Sequence, residues 1–163
     1  MINDFRTMVV IKKPTEISSV HLQQIVDLIK TGGEVKTSRE DLRKYIQRAD
    51  LVAYELLDDT VICTATLKNP FNTYKTKVFN KARVKSNLKI NKELGYIATH
   101  PDHENKGHCS QLLNSFLKDI SQNSIYSTTR KAAMAHILGK FNFQWEGKTF
   151  DKDLKLLIYH GKK

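Results

Sequence analysis

Between Glu93 and Leu113 the chain gathers most of its chemically active side chains: Glu93, Tyr96, His100, His103, Lys106, Gly107, His108 and Cys109. An apolar run ends, a polar loop with one glycine turns, and a helix-patterned stretch begins. The first N–H groups of a helix have no partner inside it and carry partial positive charge, so such a turn is a natural cradle for phosphate. Gly107 allows close backbone approach to a pyrophosphate, and Lys106 adds a cation. The three histidines are spread over the loop and the helix start without standard zinc spacing, so packing and loop roles are expected and no metal. Cys109 at a helix start is either a thiol with a lowered pKa or a small packing residue, and packing is the expectation.

The elements that must hold this loop follow from periodicity. Met8–Ile11 and Leu51–Leu57 read as strands, as does Thr60–Leu67, with Asp58-Asp59 as the hairpin turn between the last two. Leu22, Ile25, Val26 and Ile29 mark one helical face, closed by Gly32-Gly33. Ser38-x-x-Asp41 resembles a capping box before Leu42, Tyr45, Ile46 and Ala49. Glu93–Thr99 is a strand stopped by His100-Pro101. Leu112, Leu113, Phe116, Leu117 and Ile120 form a third helix. Ile125–Thr129 is a strand, Met134–Phe141 a fourth helix, and Phe143–Trp145 and Leu154–Tyr159 are closing strands. The expected order is β-α-α-β-β-β-α-β-α-β-β.

The chain has 163 residues, a single-domain length with no Pro-, Gly- or Ser-rich linker, so one domain over 1–163 is expected. Apolar residues make up 40% and charged residues 27%, the balance of a folded chain. No apolar run approaches the ~18 residues of a membrane span, and Met1–Arg6 lacks the apolar core of a secretory signal. Two cysteines make no disulfide framework, so a reducing, cytoplasmic setting is expected. The net charge of +10 calls for an anionic partner.

The stretch His100-Pro-Asp-His-Glu-Asn-Lys-Gly-His-Cys-Ser-Gln-Leu-Leu113 resembles the cofactor motif of the GNAT superfamily, the acetyl-CoA-dependent N-acyltransferases. In that motif a strand, often followed by His-Pro, leads to Arg/Gln-x-x-Gly-x-Gly/Ala at a helix start. Met134-Ala-His-Ile-Leu-Gly-Lys-Phe-Asn-Phe143 resembles the superfamily's next motif, and the element order matches from Met8 to Tyr159. The resemblance implies an α/β fold. Its mixed, mostly antiparallel central sheet would contain a splayed parallel strand pair, flanked by about four helices. Four positions depart from the pattern: Glu104 replaces Arg or Gln, Cys109 replaces Gly or Ala, Ala132 stands where Asn is common, and Asn142 stands for Gly.

The same resemblance implies direct acetyl transfer from acetyl-CoA to a primary amine through a ternary complex, with no metal. Ile97, Ala98 and Thr99 would face the pantetheine, and the Ile97 backbone N–H would be the oxyanion donor. Asn105, Lys106, Gly107, His108, Cys109 and Ser110 would hold the CoA phosphates. Glu93, eleven residues before Glu104, takes the place of the general base of the histone acetyltransferase branch. Leu138 stands where many members have a tyrosine that protonates the leaving thiolate. The CoA thiolate would leave without a dedicated acid, or Tyr126 or Tyr96 would substitute, although packing is the expectation for both. Arg130 would meet a CoA phosphate, the acceptor or a surface partner.

Lys68–Lys92 holds eight basic residues and no Asp or Glu, together with Phe71, Tyr74 and Phe79. It reads as a long connector, and the GNAT layout that the resemblance implies would put it beside the acceptor side of the cleft. Phe71, Tyr74, Lys75, Lys77 and Tyr96 are therefore the expected substrate-binding residues. The acceptor would be a protein lysine or N-terminus, an aminoacyl-tRNA or a small amine, on tRNA or an acidic protein if macromolecular. Membrane is not expected, and the oligomeric state stays open, a dimer included. An alternative is a non-catalytic binding module that grips nucleic acid or an acidic protein through the same basic segment.

Overall fold

A computed structural model describes residues 6–120 and 124–161. Residues 1–5 of the N-terminal stretch, read above for a secretory signal, lie outside the described residues. Two compact units emerge, Met1–Lys68 with Tyr96–Asp119 and Asn69–Gly95 with Ile120–Lys163. The chain passes from one to the other three times, so neither unit is a contiguous piece of sequence.

In the first unit, β1 (Thr7–Lys12), β2 (Leu51–Leu57) and β3 (Thr60–Lys68) form an antiparallel meander. Asp58 and Asp59 both adopt positive φ, 47° and 66°. That is the geometry a two-residue hairpin needs to match strand twist. Helix α1 (Ser19–Thr31) starts where the Ser18 side chain accepts from the His21 N–H. Helix α2 (Arg39–Gln47) starts where Ser38 accepts from Asp41 N–H, as the capping pattern predicts. Leu22, Ile25, Val26, Ile29, Leu42 and Ile46 bury one core with Val52, Tyr54 and Val61. Helix α4 (His108–Asp119; α3 lies in the second unit) buries Leu112, Leu113, Phe116 and Leu117 on this meander.

Strand β4 (Lys92–Thr99) belongs to both units. Its last four residues lie in the first, where the following His100 N–H reaches Ile62 O at 2.8 Å. Its opening residues lie in the second and pair in parallel with β5 (Ile125–Thr129), Lys92 opposite Ile125 and Glu93 opposite Tyr126. β5 pairs antiparallel with β7 (Leu154–Tyr159), and β7 with β6 (Phe143–Phe150). The fold is mixed α/β, with seven strands among the described residues, mostly antiparallel, and one parallel pair. Helix α5 (Ala132–Lys140) buries Leu138.

Two expectations are corrected. The connector is not a loop: residues Asn72–Ala82 form α3, a fifth helix, and β6 runs five residues beyond Trp145. Lys75, Val78, Phe79 and Ala82 stand at i, i+3, i+4 and i+7, and all four are buried. A lysine holds one position of that apolar stripe, which is why periodicity did not expose the helix. Its aliphatic stem packs inward, and its ammonium donates to Asn87 O at 3.0 Å. Arg83, left-handed at φ 58°, closes the helix. Gly147, at φ 69°, lets β6 press on this end: a Cβ there would sit 2.1 Å from Ala82 O.

Candidate active site

Within the first unit, β4 is interrupted. Tyr96 has φ 50°, a left-handed conformation in the middle of a strand. Such a residue is uncommon outside turns and breaks the regular alternation of a ladder, turning backbone groups away from the neighbouring strand. Ile97, Ala98 and Thr99 follow it half-buried, and the Lys68 ammonium lies 4.3 Å from the Tyr96 ring centre.

After β4 the chain makes a 3-10 turn at Pro101–His103, capped by His100 Nδ1 accepting from Asp102 N–H at 3.1 Å. Asn105 (φ 59°) and Gly107 (φ 84°) then take left-handed conformations and deliver the chain to α4. Nothing lies within 4 Å of a Cβ built on Gly107, so its positive φ, rather than crowding, is what favours glycine there. Lys106 is exposed with its ammonium on Asp102 O at 3.1 Å; Glu104 is exposed too. The predicted phosphate-holding residues 105–110 thus form one continuous turn and helix start. The left-handed positions and the N-terminal N–H groups of α4 suit an anion. The Glu104 carboxylate is the member of the turn that does not.

Sequence reading missed what lies under this turn. Glu55 of β2 is fully buried, with Oε1 3.0 Å from His108 Nδ1. Its Oε2 has no hydrogen-bond partner among the described residues. A single Glu inside the apolar run Leu51–Leu57 was the available signal. Cys63 of β3 and Cys109 of α4 also meet. The hydrogen bond from Cys63 holds the Cys109 thiol below its ordinary value against the opposing effect of burial. The same bond, reinforced by burial, pushes Cys63 up. Cys63 further contacts Thr99 Oγ1 at 3.4 Å. Cys109 therefore packs on Cys63, in the position where the motif has a small residue. His100, His103 and His108 form a chain of edge-on rings, 5.7 and 5.8 Å between centres. No group of three or more metal-ligating side chains forms among the described residues.

Within the second unit, Glu93 is 3% exposed and accepts from the Tyr126 hydroxyl at 3.0 Å. Burial, reinforced by the Glu93 charge, pushes the Tyr126 pKa up. Tyr126 is fully buried, edge-on to Phe79 at 5.3 Å. Its proton is held on Glu93, which makes it an orienting donor for that carboxylate. A proton-donor role for Tyr126 gains no support from this geometry. The parallel ladder ends at this pair. Beyond it, Leu94 O accepts from Ser127 Oγ at 2.7 Å, so a side chain occupies a carbonyl that a longer parallel ladder would pair with backbone.

The expected substrate-binding residues separate. Phe71, Tyr74 and Lys77 are exposed on α3 and its N-cap, and Tyr74 is near enough to Tyr126 to influence its titration. Lys75 is buried, with its ammonium donating to Asn87 O. Arg130 donates twice to Asp151 O, at 3.1 and 2.8 Å.

No family model matches the sequence, and no curated protein matches it. Solved structures do. An acyl-CoA N-acyltransferase from Pseudomonas aeruginosa superposes with a TM-score of 0.71 at 10% identity, over 94% of this chain and 99% of that one. ElaA of Escherichia coli gives 0.71 at 12% identity, over 95% and 100%. A GNAT-family acetyltransferase from Streptococcus agalactiae gives 0.65 at 17% identity, over 95% and 96%. The chain has the GNAT fold over about 95% of its length.

Proposed function

We propose that the 163 residues act as one acyl-CoA-dependent N-acyltransferase domain, with acetyl-CoA as donor and a primary amine as acceptor. The observation that carries this reading is the strand broken at Tyr96 that runs into the left-handed Asn105–Gly107 turn and α4. That segment sits at the same place in the chain as the motif read from sequence.

The acyl-CoA supplies an activated thioester. Residues 105–110 hold its phosphates with backbone N–H groups and Lys106. Ile97 N–H, just past the break in β4, is the donor for the thioester oxygen, a type of contact commonly worth about 3 kcal/mol at a transition state. Glu93, oriented by Tyr126, removes the proton that an ammonium must lose before it can attack. Loss of CoA as a thiolate needs little acid assistance, which suits a site where Tyr126 keeps its proton. Two free thiols in contact suit a reducing compartment such as the cytoplasm. No described helix is long and apolar enough to cross a membrane.

Calorimetric titration of the full chain with acetyl-CoA tests the reading. Saturable one-site binding is expected, followed by a mass gain of one acetyl group on an amine in a screen of peptides, polyamines and aminoacyl-tRNA. Absence of acetyl-CoA binding at millimolar ligand would remove it.

A further inference from the structure

The net positive charge of the chain is confined to one unit. Residues 1–68 and 96–119 carry twelve Lys and Arg against thirteen Asp and Glu. Residues 69–95 and 120–163 carry fifteen against four. The first unit is nearly neutral and the second carries the whole excess.

Within the second unit the charge is organised by α3. Phe71, Tyr74, Lys77 and Lys81 follow one another at steps of three, three and four. All four are exposed: Phe71, the N-cap, and Tyr74 border the buried face of Val78, Phe79 and Ala82, and Lys77 and Lys81 lie further round the helix. The adjoining face of α3 presents Asn72, Thr73, Thr76, Lys77, Asn80 and Lys81, with no acid among them. The loop after α3 adds exposed Arg83, Lys85 and Lys89. Asp151 bonds Lys81 at 2.8 Å and also feels the charge of Lys77, so one carboxylate stands beside these cations while the loop adds three more.

We propose that this face binds single-stranded nucleic acid. Three features select that partner over an acidic protein. Cations recur along a track, as a phosphate backbone requires. Amides and hydroxyls lie between them, able to hydrogen-bond phosphate or base edges. Phe71 and Tyr74, 58% and 43% exposed, add aromatic surface at the head of α3, and unpaired bases stack on aromatic side chains. A duplex hides its base faces and gains nothing from the aromatics. The inference goes beyond the proposed acyl transfer and does not depend on it.

Fluorescence anisotropy with the full chain and labelled 15-nucleotide single-stranded RNA and DNA tests it. About four phosphate contacts predict roughly 50-fold weaker binding at 200 than at 50 mM KCl. The triple variant Lys77→Glu/Lys85→Glu/Lys89→Glu is expected to bind at least about tenfold more weakly, and Phe71→Ala about fivefold more weakly. Lys13→Glu/Lys36→Glu/Lys44→Glu, an equal reversal in the first unit, should change affinity less than about twofold. Because Lys85 and Lys89 lie outside any helix, their double variant, with its melting curve checked, keeps the test valid if the α3 substitution unfolds the chain. No binding of either oligonucleotide at 50 mM KCl would overturn the proposal. So would equal competition by polyglutamate of matched charge, tighter binding of duplex, or an equal loss from the first-unit reversal.

Discussion

Each unit buries one glutamate, and the two are held in opposite ways. Glu55 has an ionisable partner, the His108 imidazole, and its second oxygen is shut away from hydrogen bonds among the described residues. Glu93 has a neutral phenol as its donor, and its charge keeps that phenol protonated. A carboxylate paired with imidazole fastens one element to another, here β2 to the first turn of α4. A carboxylate held by a phenol has its orientation fixed by a neutral donor. Under the proposed function, Glu55 serves architecture and Glu93 serves chemistry.

The largest expected effect breaks that assignment if it fails. Glu93→Gln should lower acetyl transfer by about 10²–10³-fold, the usual share of a general base, with acetyl-CoA affinity kept within a factor of about three. Glu55→Gln should leave the chemical step intact once the protein is folded. Equal turnover losses in the two variants would erase the distinction. Next in size, Glu55→Ala should destabilise the fold by about 3 kcal/mol, because the imidazole loses its buried partner. Urea denaturation measures this, and His108→Ala in the same background should then cost far less than it does alone.

Gly147→Ala probes the second unit without touching either carboxylate. A Cβ 2.1 Å from Ala82 O, on a residue at φ 69°, should cost about 2 kcal/mol in the same assay. A cost below about 0.5 kcal/mol would mean that α3 is not pressed against β6. The smallest effect concerns the two thiols. Cys109 is half-buried with a lowered pKa, while Cys63 is buried with a raised one. Iodoacetamide at pH 7.5 should label Cys109 first, at least about tenfold faster than Cys63 by peptide mapping. Faster labelling of Cys63 would contradict the packing under α4.

Local rules made much of this molecule legible. Ser38 capping Asp41 N–H, the Asp58-Asp59 turn, and the strands Leu51–Leu57, Ile125–Thr129 and Leu154–Tyr159 depend on residues a few positions apart, and periodicity or turn chemistry specifies them directly. The turn from Asn105 to Ser110 was legible for the same reason. Helix α3 was not, because Lys75 fills an apolar position, and only Asn87 O and the surrounding core make that burial tolerable.

What the sequence determined by itself was the order of elements around the cofactor-like motif, the presence of Glu93 eleven residues before it, and the total charge of +10. Tertiary structure decided the partners: His108 for Glu55 across 53 residues, Tyr126 for Glu93 across 33, and Cys109 for Cys63. It also decided that Tyr96 turns left-handed within a strand and that the positive charge collects in one of two units. Those outcomes depend on which strands become neighbours. That choice is made by the burial of whole apolar faces, and no short window of sequence contains it.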